Sequence, residues 1–362
     1  MNQDFIEALR ALEKEKGINK DVLIEAIETA LVTAYKRDYG ADTDVRVNVD
    51  RETGKMTVLR RWTVAEVVES PDVEVSLEQA RVFDPSFAVG DVLERDVTPK
   101  SFGRIAAQTA KQIVVQRIRE EERSSIYDKY ADSQDEVVNA VVKRVEKGGV
   151  YLDIGRTEAF LSAGEMMPTE SFRPGDYVKV YMLEVRRAAS GPQILVSRTH
   201  PGLVRRLFEL EVPEIRNGVV QIHAVAREAG FRTKMAVSSR ADDIDPVGAC
   251  VGQRGARVER IVEELKGEKI DIVRWSPDPA QFIANALSPA HVLTVWADEE
   301  QKAARVLVPD TQLSLAIGRE GQNARLAAKL TGWKIDIKSD VQMQQQLDEM
   351  PHETIAADDF DL

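Results

Sequence analysis

Cysteine and histidine are scarce in this chain of 362 residues, and their scarcity excludes several classes of protein. Cys250 is the only cysteine, so neither a disulfide framework nor a zinc site built from cysteines can form within the chain. The four histidines, at positions 200, 223, 291 and 352, stand at no spacing typical of metal ligands. We therefore expect neither a metal centre nor another cofactor.

Long apolar segments are also missing. No run of about 18 apolar residues could span a bilayer, and the N-terminus lacks the apolar stretch of a signal peptide. A lone cysteine without a targeting segment is typical of the reducing cytoplasm. We expect a cytoplasmic protein that does not contact a membrane.

Positive charge is absent from the last part of the chain. The net charge is −12, residues 339–362 contain seven acids and no Lys or Arg, and residues 1–134 are acidic as well. The middle of the chain is close to neutral. A negative net charge therefore does not exclude nucleic acid as a ligand, because the middle segments can present a local basic face to phosphates.

The patterns that are present divide the chain into segments. Two amphipathic helices, a hairpin and a long helix ending near residue 130 occupy residues 1–134. Five short β-rich runs in residues 135–200 predict a small closed barrel. Helical and strand patterns then alternate twice, in residues 201–277 and 278–345. The acidic, Gln-rich tail cannot bury much apolar surface, and residues 346–362 are predicted to be disordered.

An internal repeat marks the two alternating segments. GQRGARVERIVEELKGEKIDI begins at residue 252, and GREGQNARLAAKLTGWKIDI begins at residue 318. Each copy contains a Gly-x-x-Gly unit, a helical pattern, a Gly turn and the strand KIDI. One such loop is a weak signal, whereas two copies in the same context predict a repeated functional unit.

The repeated loop has the features of a clamp for single-stranded RNA. Glycines let the backbone approach a sugar-phosphate chain, and the following helix directs its N-terminal amides at phosphates. KH domains hold four nucleotides with a loop of this kind. The candidate RNA-binding residues of the two copies are Gly252, Gln253, Arg254, Gly255, Arg257, Arg260, Gly318, Arg319, Glu320, Gly321, Asn323 and Arg325.

Two other interpretations of the loops stay open at this point. Glycines in such places also form tight turns between helices without binding anything. A nucleotide-binding loop agrees less well with the sequence, because no Gly-Lys-Ser/Thr follows either copy. The recurrence of the whole unit favours the RNA clamp.

Several stretches resemble the NusA family of bacterial transcription termination/antitermination proteins. VPEIRNGVVQIHAVAREAG, DPVGACVGQRGARVERIVEEL and AIGREGQNARLAAKLTGW are similar to the KH pair of that family. DVRVNVDRETGK and FGRIAAQTAKQIVVQRIRE are similar to its N-terminal domain, and residues 135–200 are similar to its OB domain of the ribosomal S1 type. The resemblance covers about residues 1–340 in the domain order of the family. Some members carry further acidic repeat domains, and we expect none in this chain.

The resemblance implies a multidomain α+β fold. The expected domains are a helical and β N-terminal domain over 1–134, a five-stranded OB β-barrel over 135–200, and two tandem α/β KH domains of type II over 201–277 and 278–345. Type II means the element order α-β-β-α-α-β. The implied partners are the RNA polymerase core enzyme for residues 1–134 and nascent single-stranded RNA for the remainder, together with other antitermination factors. Such a protein is a monomeric, non-enzymatic elongation factor that modulates pausing, termination and antitermination.

The family pattern is incomplete in the OB domain. Domains of this type often bind RNA through two aromatic residues and a histidine. Here Tyr151 matches one aromatic, whereas Gly148 and Ser162 stand in the other two places. The candidate contacts of this domain are therefore Tyr151, Phe160, Lys143, Arg144, Arg186 and Arg187.

Basic residues in exposed-looking places of the N-terminal domain are the candidates for polymerase binding: Arg60, Arg61, Arg104 and Lys111. The alternative for the whole chain is an RNA-binding accessory of an exoribonuclease or of the ribosome. An exoribonuclease core needs clustered carboxylates and several hundred residues, which residues 1–134 do not supply. A ribosomal role would leave residues 1–134 without a use.

Overall fold

Helices pack on a small mixed sheet in the N-terminal part of the computed structural model, which describes residues 3–188 and 191–349. Contacts divide the chain into two compact units, and the division falls between Ile126 and Tyr127. The elements up to and across that point are α1 (Gln3–Lys16), α2 (Lys20–Tyr39), β1 (Val45–Val49), β2 (Met56–Ala65), β3 (Glu74–Ser76), α3 (Leu77–Arg81), β4 (Val92–Asp96) and α4 (Phe102–Ala131). The predicted pair of helices, the hairpin β1–β2 and the long helix are confirmed.

Local chemistry explains where these elements begin and which side they bury. The Asn19 side chain accepts a hydrogen bond from the backbone amide of Asp21 at 2.8 Å and so caps α2. β1 alternates buried and exposed residues, and it pairs antiparallel with β2. β2 also pairs antiparallel with β4 and parallel with β3. Ile27 and Leu31 of α2 and Phe102 of α4 are buried in one core together with valines of β1.

The second unit begins with the predicted barrel. Its strands are β5 (Val137–Glu146), β6 (Gly149–Asp153), β7 (Glu158–Ser162), β8 (Tyr177–Ala188) and β9 (Gly191–Ser197). They close in the order β5-β6-β7-β9-β8, with β7 and β9 parallel. Buried Val150, Leu152 and Leu161 point into the barrel, as the alternation of the sequence predicts.

Two KH modules follow, each with the element order α-β-β-α-α-β. The first, KH1, consists of α5 (Pro201–Glu211), the short α6 (Pro213–Arg216), β10 (Val220–Glu228), β11 (Arg232–Ser239), α7 (Pro246–Val251), α8 (Ala256–Glu264) and β12 (Lys269–Arg274). The second, KH2, consists of α9 (Pro279–Ala286), β13 (Thr294–Asp298), β14 (Ala303–Val308), α10 (Asp310–Ile317), α11 (Gln322–Thr331) and β15 (Lys334–Ser339). In both sheets the first two strands are antiparallel and the last two are parallel. The predicted fold class is confirmed.

The barrel and the two KH modules share buried contacts. Arg198, which is fully buried, donates to Glu170 at 3.0 Å and to Glu264 of α8 at 3.0 Å. All three guanidinium nitrogens of this arginine have acceptors, which offsets the cost of burying the charge. Ala226 and Ala236 of the KH1 sheet lie in one apolar core with residues of α9 and α11 of KH2. The helices of KH2 therefore pack on the outer face of the KH1 sheet.

A last helix corrects the prediction of a disordered tail. α12 runs over Asp340–Glu349, where the sequence predicts disorder from residue 346; the rest of that tail lies outside the described residues. The Ser339 hydroxyl accepts a hydrogen bond from the backbone amide of Gln342 at 3.2 Å. In return, the Gln342 side chain accepts one from the backbone amide of Ser339 at 3.2 Å. This reciprocal pair is a capping box, and it starts a helix in a polar segment.

Candidate nucleic-acid interface

The two Gly-x-x-Gly loops are built alike. Gly252–Gly255 joins α7 to α8, and Gly318–Gly321 joins α10 to α11, each as a short 3₁₀ turn. The first glycines have φ/ψ of 75°/175° and 76°/170°, and the last have 82°/4° and 74°/13°. Positive φ at all four positions favours glycine.

The first and the last glycine of each loop meet different surroundings. A Cβ on Gly252 would lie 2.7 Å from Cγ of Arg257, and a Cβ on Gly318 would lie 2.8 Å from the backbone and Cβ of Asn323. A Cβ on Gly255 would meet nothing within 4 Å, and one on Gly321 would meet only a guanidinium nitrogen 4.0 Å away. The loop is therefore packed on its inner side and open on its outer side, where a ligand backbone can approach.

The middle residues of both loops face solvent. Gln253 and Arg254 are exposed, and the side chains of Arg319 and Glu320 are 92% and 84% exposed. No side chain caps the first turn of α8 or of α11. The first amides, those of Ala256 and Gln322, donate to the carbonyls of Gln253 and Arg319 within the loops, and no side chain stands between the helix starts and an approaching anion.

Arg257 and Asn323, two of the predicted RNA contacts, have hydrogen-bond partners within the protein. Arg257 donates to the carbonyl of Ala249 at 2.7 Å and to Glu214 at 2.9 Å. Asn323, only 4% exposed, donates to carbonyls of α10 and of the segment after α9, the closer ones at 3.0 Å. Both residues stand five positions after the first glycine, and both hold the helix that precedes the loop. Through these bonds both residues brace the loops from beneath.

Two further arginines lie beside the loops. Arg260 is 66% exposed and pairs with Glu211 at 3.1 Å. Arg325 pairs with Glu228 of KH1 at 2.6 Å and donates to the carbonyl of Glu320 at 3.1 Å. Arg325 therefore fixes its own loop and joins it to the neighbouring module, while it keeps half of its surface in solvent.

On the barrel, four of the six candidate residues come together. The rings of Tyr151 and Phe160 are neighbours across β6 and β7, with centroids 5.0 Å apart. The guanidinium of Arg144 lies over Tyr151, 3.7 Å from the ring centre. Lys143 and Arg144 both pair with Glu158, at 2.8 Å and 2.7 Å, and their hydrogen bonds lower the pKa of that carboxyl. An aromatic surface rimmed by cations results, which suits stacking of unpaired bases.

The other two barrel candidates lie toward the end of β8. Arg186 pairs with Glu184 at 2.6 Å. Arg187 lies over the ring of Tyr127, 4.3 Å from its centre, and 3.6 Å from Asp128. Both side chains are mostly exposed, so they add positive charge to this part of the barrel surface.

Two exposed or stacked aromatic features of the structure were not predicted from the sequence. Tyr177, at the start of β8, leaves 84% of its surface exposed. The alternation of apolar residues along β8, which buries Val178, could have predicted that Tyr177 faces solvent. His223 stacks on Trp275 with centroids 4.0 Å apart, and it pairs with the hydroxyl of Ser238 at 2.7 Å. The second pair is created by tertiary packing across the KH1 sheet, and no local pattern announces it.

The candidate polymerase residues fall into two groups. Arg60 and Arg61 of β2 are partly covered: Arg60 contacts Asp72 at 3.1 Å, and Arg61 lies 3.4 Å from Glu94. Arg104 and Lys111 are exposed on α4. Lys111 stands at the edge of an apolar cleft of about 520 Å³ between α1 and α4.

Neither a metal site nor a membrane span accompanies this surface in the described ranges. Within residues 3–188 and 191–349, no cluster of three or more His, Cys, Asp or Glu could hold an ion. Among the same residues, no helix combines the length and apolar content needed to cross a bilayer.

Comparison with known families assigns each part of the chain. The NusA N-terminal domain matches residues 4–124, and the S1 RNA binding domain matches residues 132–197. The NusA-like first KH domain matches residues 198–275, and the NusA-like second KH domain matches residues 279–345. The RNA-binding modules predicted from the repeat and from the β-rich runs are thereby confirmed.

Full-length relatives agree with the domain matches. The transcription termination/antitermination protein NusA of Halalkalibacterium halodurans is 54% identical over 99% of this chain and 95% of its own. Its namesake from Bacillus subtilis is 55% identical over 95% of this chain and 93% of its own, and that of Thermus thermophilus is 44% identical over 92% and 89%. The domain order, the paired loops and this similarity establish that the chain belongs to the NusA family of transcription termination/antitermination proteins.

Proposed function

We propose that the protein is an elongation factor in which residues 1–134 bind the RNA polymerase core enzyme and residues 135–345 hold the nascent transcript. The domains are proposed at 1–134, 135–200, 201–277 and 278–345. In this role the protein acts as a cytoplasmic monomer, without cofactor or catalysis, together with other antitermination factors. Its effect on pausing, termination and antitermination follows from tethering the transcript beside the enzyme that makes it.

The observation that carries the proposal is the pair of superimposable loops. Both loops keep their inner side packed, their outer side open and their middle side chains in solvent. In a turn that only reverses the chain, a side chain could cap the start of the following helix. In both loops the helix start has no such cap and lies behind exposed side chains. Two phosphate sites held in one unit bind a single strand more tightly than one, because the second contact is intramolecular.

The acidic residues of the KH modules support a non-enzymatic role. Asp245 accepts the amide of Gly248 at 2.9 Å and caps α7. Asp278 accepts the amide of Ala280 at 3.1 Å and caps α9. Carboxylates occupied in helix caps serve the fold, and nothing in their placement favours hydrolysis or phosphorolysis of RNA.

The test replaces the four middle residues of the loops with aspartate in the full chain: Gln253, Arg254, Arg319 and Glu320. Three of these replacements place new negative charge where phosphate must lie, Glu320→Asp keeps the charge that is already there, and every glycine stays. We expect each loop variant to weaken binding of a single-stranded RNA, and the fourfold variant to retain only the contribution of the barrel. The slope of log affinity against log salt should fall by about 0.7 for each lost phosphate contact.

A second variant separates the two halves of the proposal. Arg104→Glu with Lys111→Glu, both exposed on α4, should weaken binding to the purified polymerase core and leave RNA affinity unchanged. The fourfold loop variant should show the opposite pattern. Wild-type RNA affinity and salt slope in a folded fourfold variant would refute the role of the loops.

A further inference from the structure

The outer face of the KH1 sheet carries a transverse row of three residues that the chain itself covers. Ala226 of β10 pairs with Lys234 of β11, which pairs with Asp271 of β12. Lys234 is fully buried, and its ammonium donates to Asp271 at 3.1 Å and to the carbonyl of Ser288 at 2.6 Å. Ser288 lies just beyond the C-terminal end of α9. In KH1, then, a cation on the sheet face binds a carbonyl of the segment that directly follows a docked helix.

KH2 has the same row at the same register, and there it is open. Trp296 of β13 pairs with Arg305 of β14, which pairs with Asp336 of β15. Asp271 and Asp336 are the aspartates of the two KIDI strands, so the rows are equivalent by sequence and by pairing. Trp296 is 49% exposed, the Asp336 side chain is 63% exposed, and Arg305 is exposed.

A shallow cleft of about 360 Å³ runs along this row. Trp296, Arg305 and Asp336 line it together with the turn between β13 and β14, including Asp298 and Gln301. Two more exposed acids, at positions 299 and 300, stand in the same turn. The face therefore offers one aromatic surface and one arginine beside an acidic border formed by Asp298 and the acids at positions 299 and 300, whereas Asp336 is paired with Lys338 at 3.9 Å.

We propose that this KH2 face docks an α-helix of another protein, with the carbonyl end of the helix directed at Arg305. The guanidinium can donate to several of the last carbonyls, and in KH1 the Lys234 ammonium binds a carbonyl two residues beyond the end of α9. Apolar residues of the helix lie on Trp296, and basic residues of its last turn meet the acidic border. Basic residues are favoured in that turn because they complement the helix dipole.

The precedent of KH1, whose equivalent face is covered by helices of KH2, favours a helix over RNA as the occupant. An exposed Trp beside an Arg could also stack bases, but phosphates beside Trp296 would then lie next to Asp298 and the acids of the turn. The C-terminal end of a helix is attracted to the same acids that repel a phosphate, because its last turn carries basic residues.

The experiment uses the full chain with a photo-crosslinking residue, p-benzoyl-L-phenylalanine, in place of Thr294. Thr294 is exposed and lies two residues before Trp296, on the same face of β13. The matched control places the same residue at Leu210, which is 54% exposed on α5. Crosslinking is performed in living bacterial cells that produce the chain. Half of the lysate is treated with ribonuclease, and half is left untreated. The attachment site is mapped by mass spectrometry.

The expected result is a ribonuclease-resistant crosslink from position 294, and not from position 210, to the last turn of a helix in another protein. Adding Trp296→Ala or Arg305→Glu should abolish it while the melting temperature stays near that of wild type. A synthetic peptide of the mapped helix should bind the wild-type chain, and Arg305→Ala should weaken this binding at least tenfold.

Other results overturn the proposal. A ribonuclease-sensitive crosslink would make the face an RNA surface, and a crosslink to a second copy of the chain would make it a self-association surface. A crosslink to a segment that is not the end of a helix would contradict the role of Arg305. Absence of any crosslink, or one that persists in both variants, would mean that the row is only a solvated counterpart of the KH1 interface.

Discussion

Arg254 and Glu320 occupy the same position of the two loops with the same backbone conformation, φ 53° and ψ 27°, and carry opposite charges. In the second loop a positive residue precedes this position, and the side chains of Arg319 and Glu320 lie 3.8 Å apart. The first loop thus presents a lone cation to solvent, whereas the second presents a cation beside an anion. The two loops share a backbone conformation and differ in electrostatics.

Removing the negative charge should make the second loop resemble the first. We expect Glu320→Gln to tighten binding of single-stranded RNA at low salt, with the gain fading as salt screens the surface. Arg254→Gln should weaken binding and reduce the salt slope by about 0.7. Titration of a fluorescent oligonucleotide at several salt concentrations measures both effects. Glu299→Gln, an exposed acid outside the loops, is the control, and an equal gain there would show that only net charge matters.

Loop support and loop contact should separate by experiment. Asn323→Ala removes the hydrogen bonds that this side chain donates to the carbonyls of Leu287 and Ala316, which costs about 1–3 kcal/mol. Arg319→Ala removes a side chain that is 92% exposed and should leave the free energy of unfolding unchanged, while RNA affinity falls. Urea denaturation and RNA titration of both variants test this. Equal unfolding free energies for Asn323→Ala and wild type would contradict the bracing role.

The repeat in the sequence was sufficient to predict the loops, because the glycines, the following helix and the KIDI strand are local features. The barrel was equally readable from short-range pattern, whereas the order of the KH elements was implied by the resemblance to the NusA family. The roles of Arg257 and Asn323 were not readable in this way, since their acceptors on α7, on α10 and after α9 are set by tertiary packing. A capping box at Ser339 and Gln342 was present in the sequence, and the acidic composition around it concealed the helix.

The aromatic surface of the barrel should contribute measurably to RNA binding. Tyr151→Ala removes a base-stacking ring and the surface on which Arg144 lies, and stacking on an aromatic side chain contributes about 1–3 kcal/mol per base. Tyr151→Phe keeps the ring and should bind like wild type. The fourfold loop variant is the best background for this comparison, because the barrel then carries the remaining affinity. Identical affinities for the Ala and Phe variants would show that the ring only packs.

Cys250 should behave as an inert core residue. It is fully buried between α7 and the KH1 sheet, and burial raises the pKa of its thiol to about 12. Because it is the only cysteine, a thiol reagent reports on this site alone. We expect negligible labelling of the native protein at neutral pH and one equivalent of label in urea. Rapid labelling of the native chain would mean that α7 opens readily and that the first loop lacks a rigid base.

The joint between the KH modules should weaken in acid. Glu228 of KH1 accepts hydrogen bonds from Arg325 at 2.6 Å and from Gln322 at 2.9 Å, both at the start of α11. The bond from Arg325 is the main cause that lowers the pKa of Glu228 below its ordinary value near 4.5, and burial opposes it.

A carboxyl with a lower pKa in the folded than in the unfolded state stabilises the protein above the unfolded pKa. That stabilisation is lost as the pH falls from about 4.5 through the lower folded value. Glu228→Gln should therefore reduce the free energy of unfolding at pH 7, and the difference from wild type should shrink toward pH 3. Urea midpoints across this range measure the difference, with exposed Glu299→Gln as the control. A difference that stays constant with pH would show that the Arg325 contact contributes through packing and not through charge.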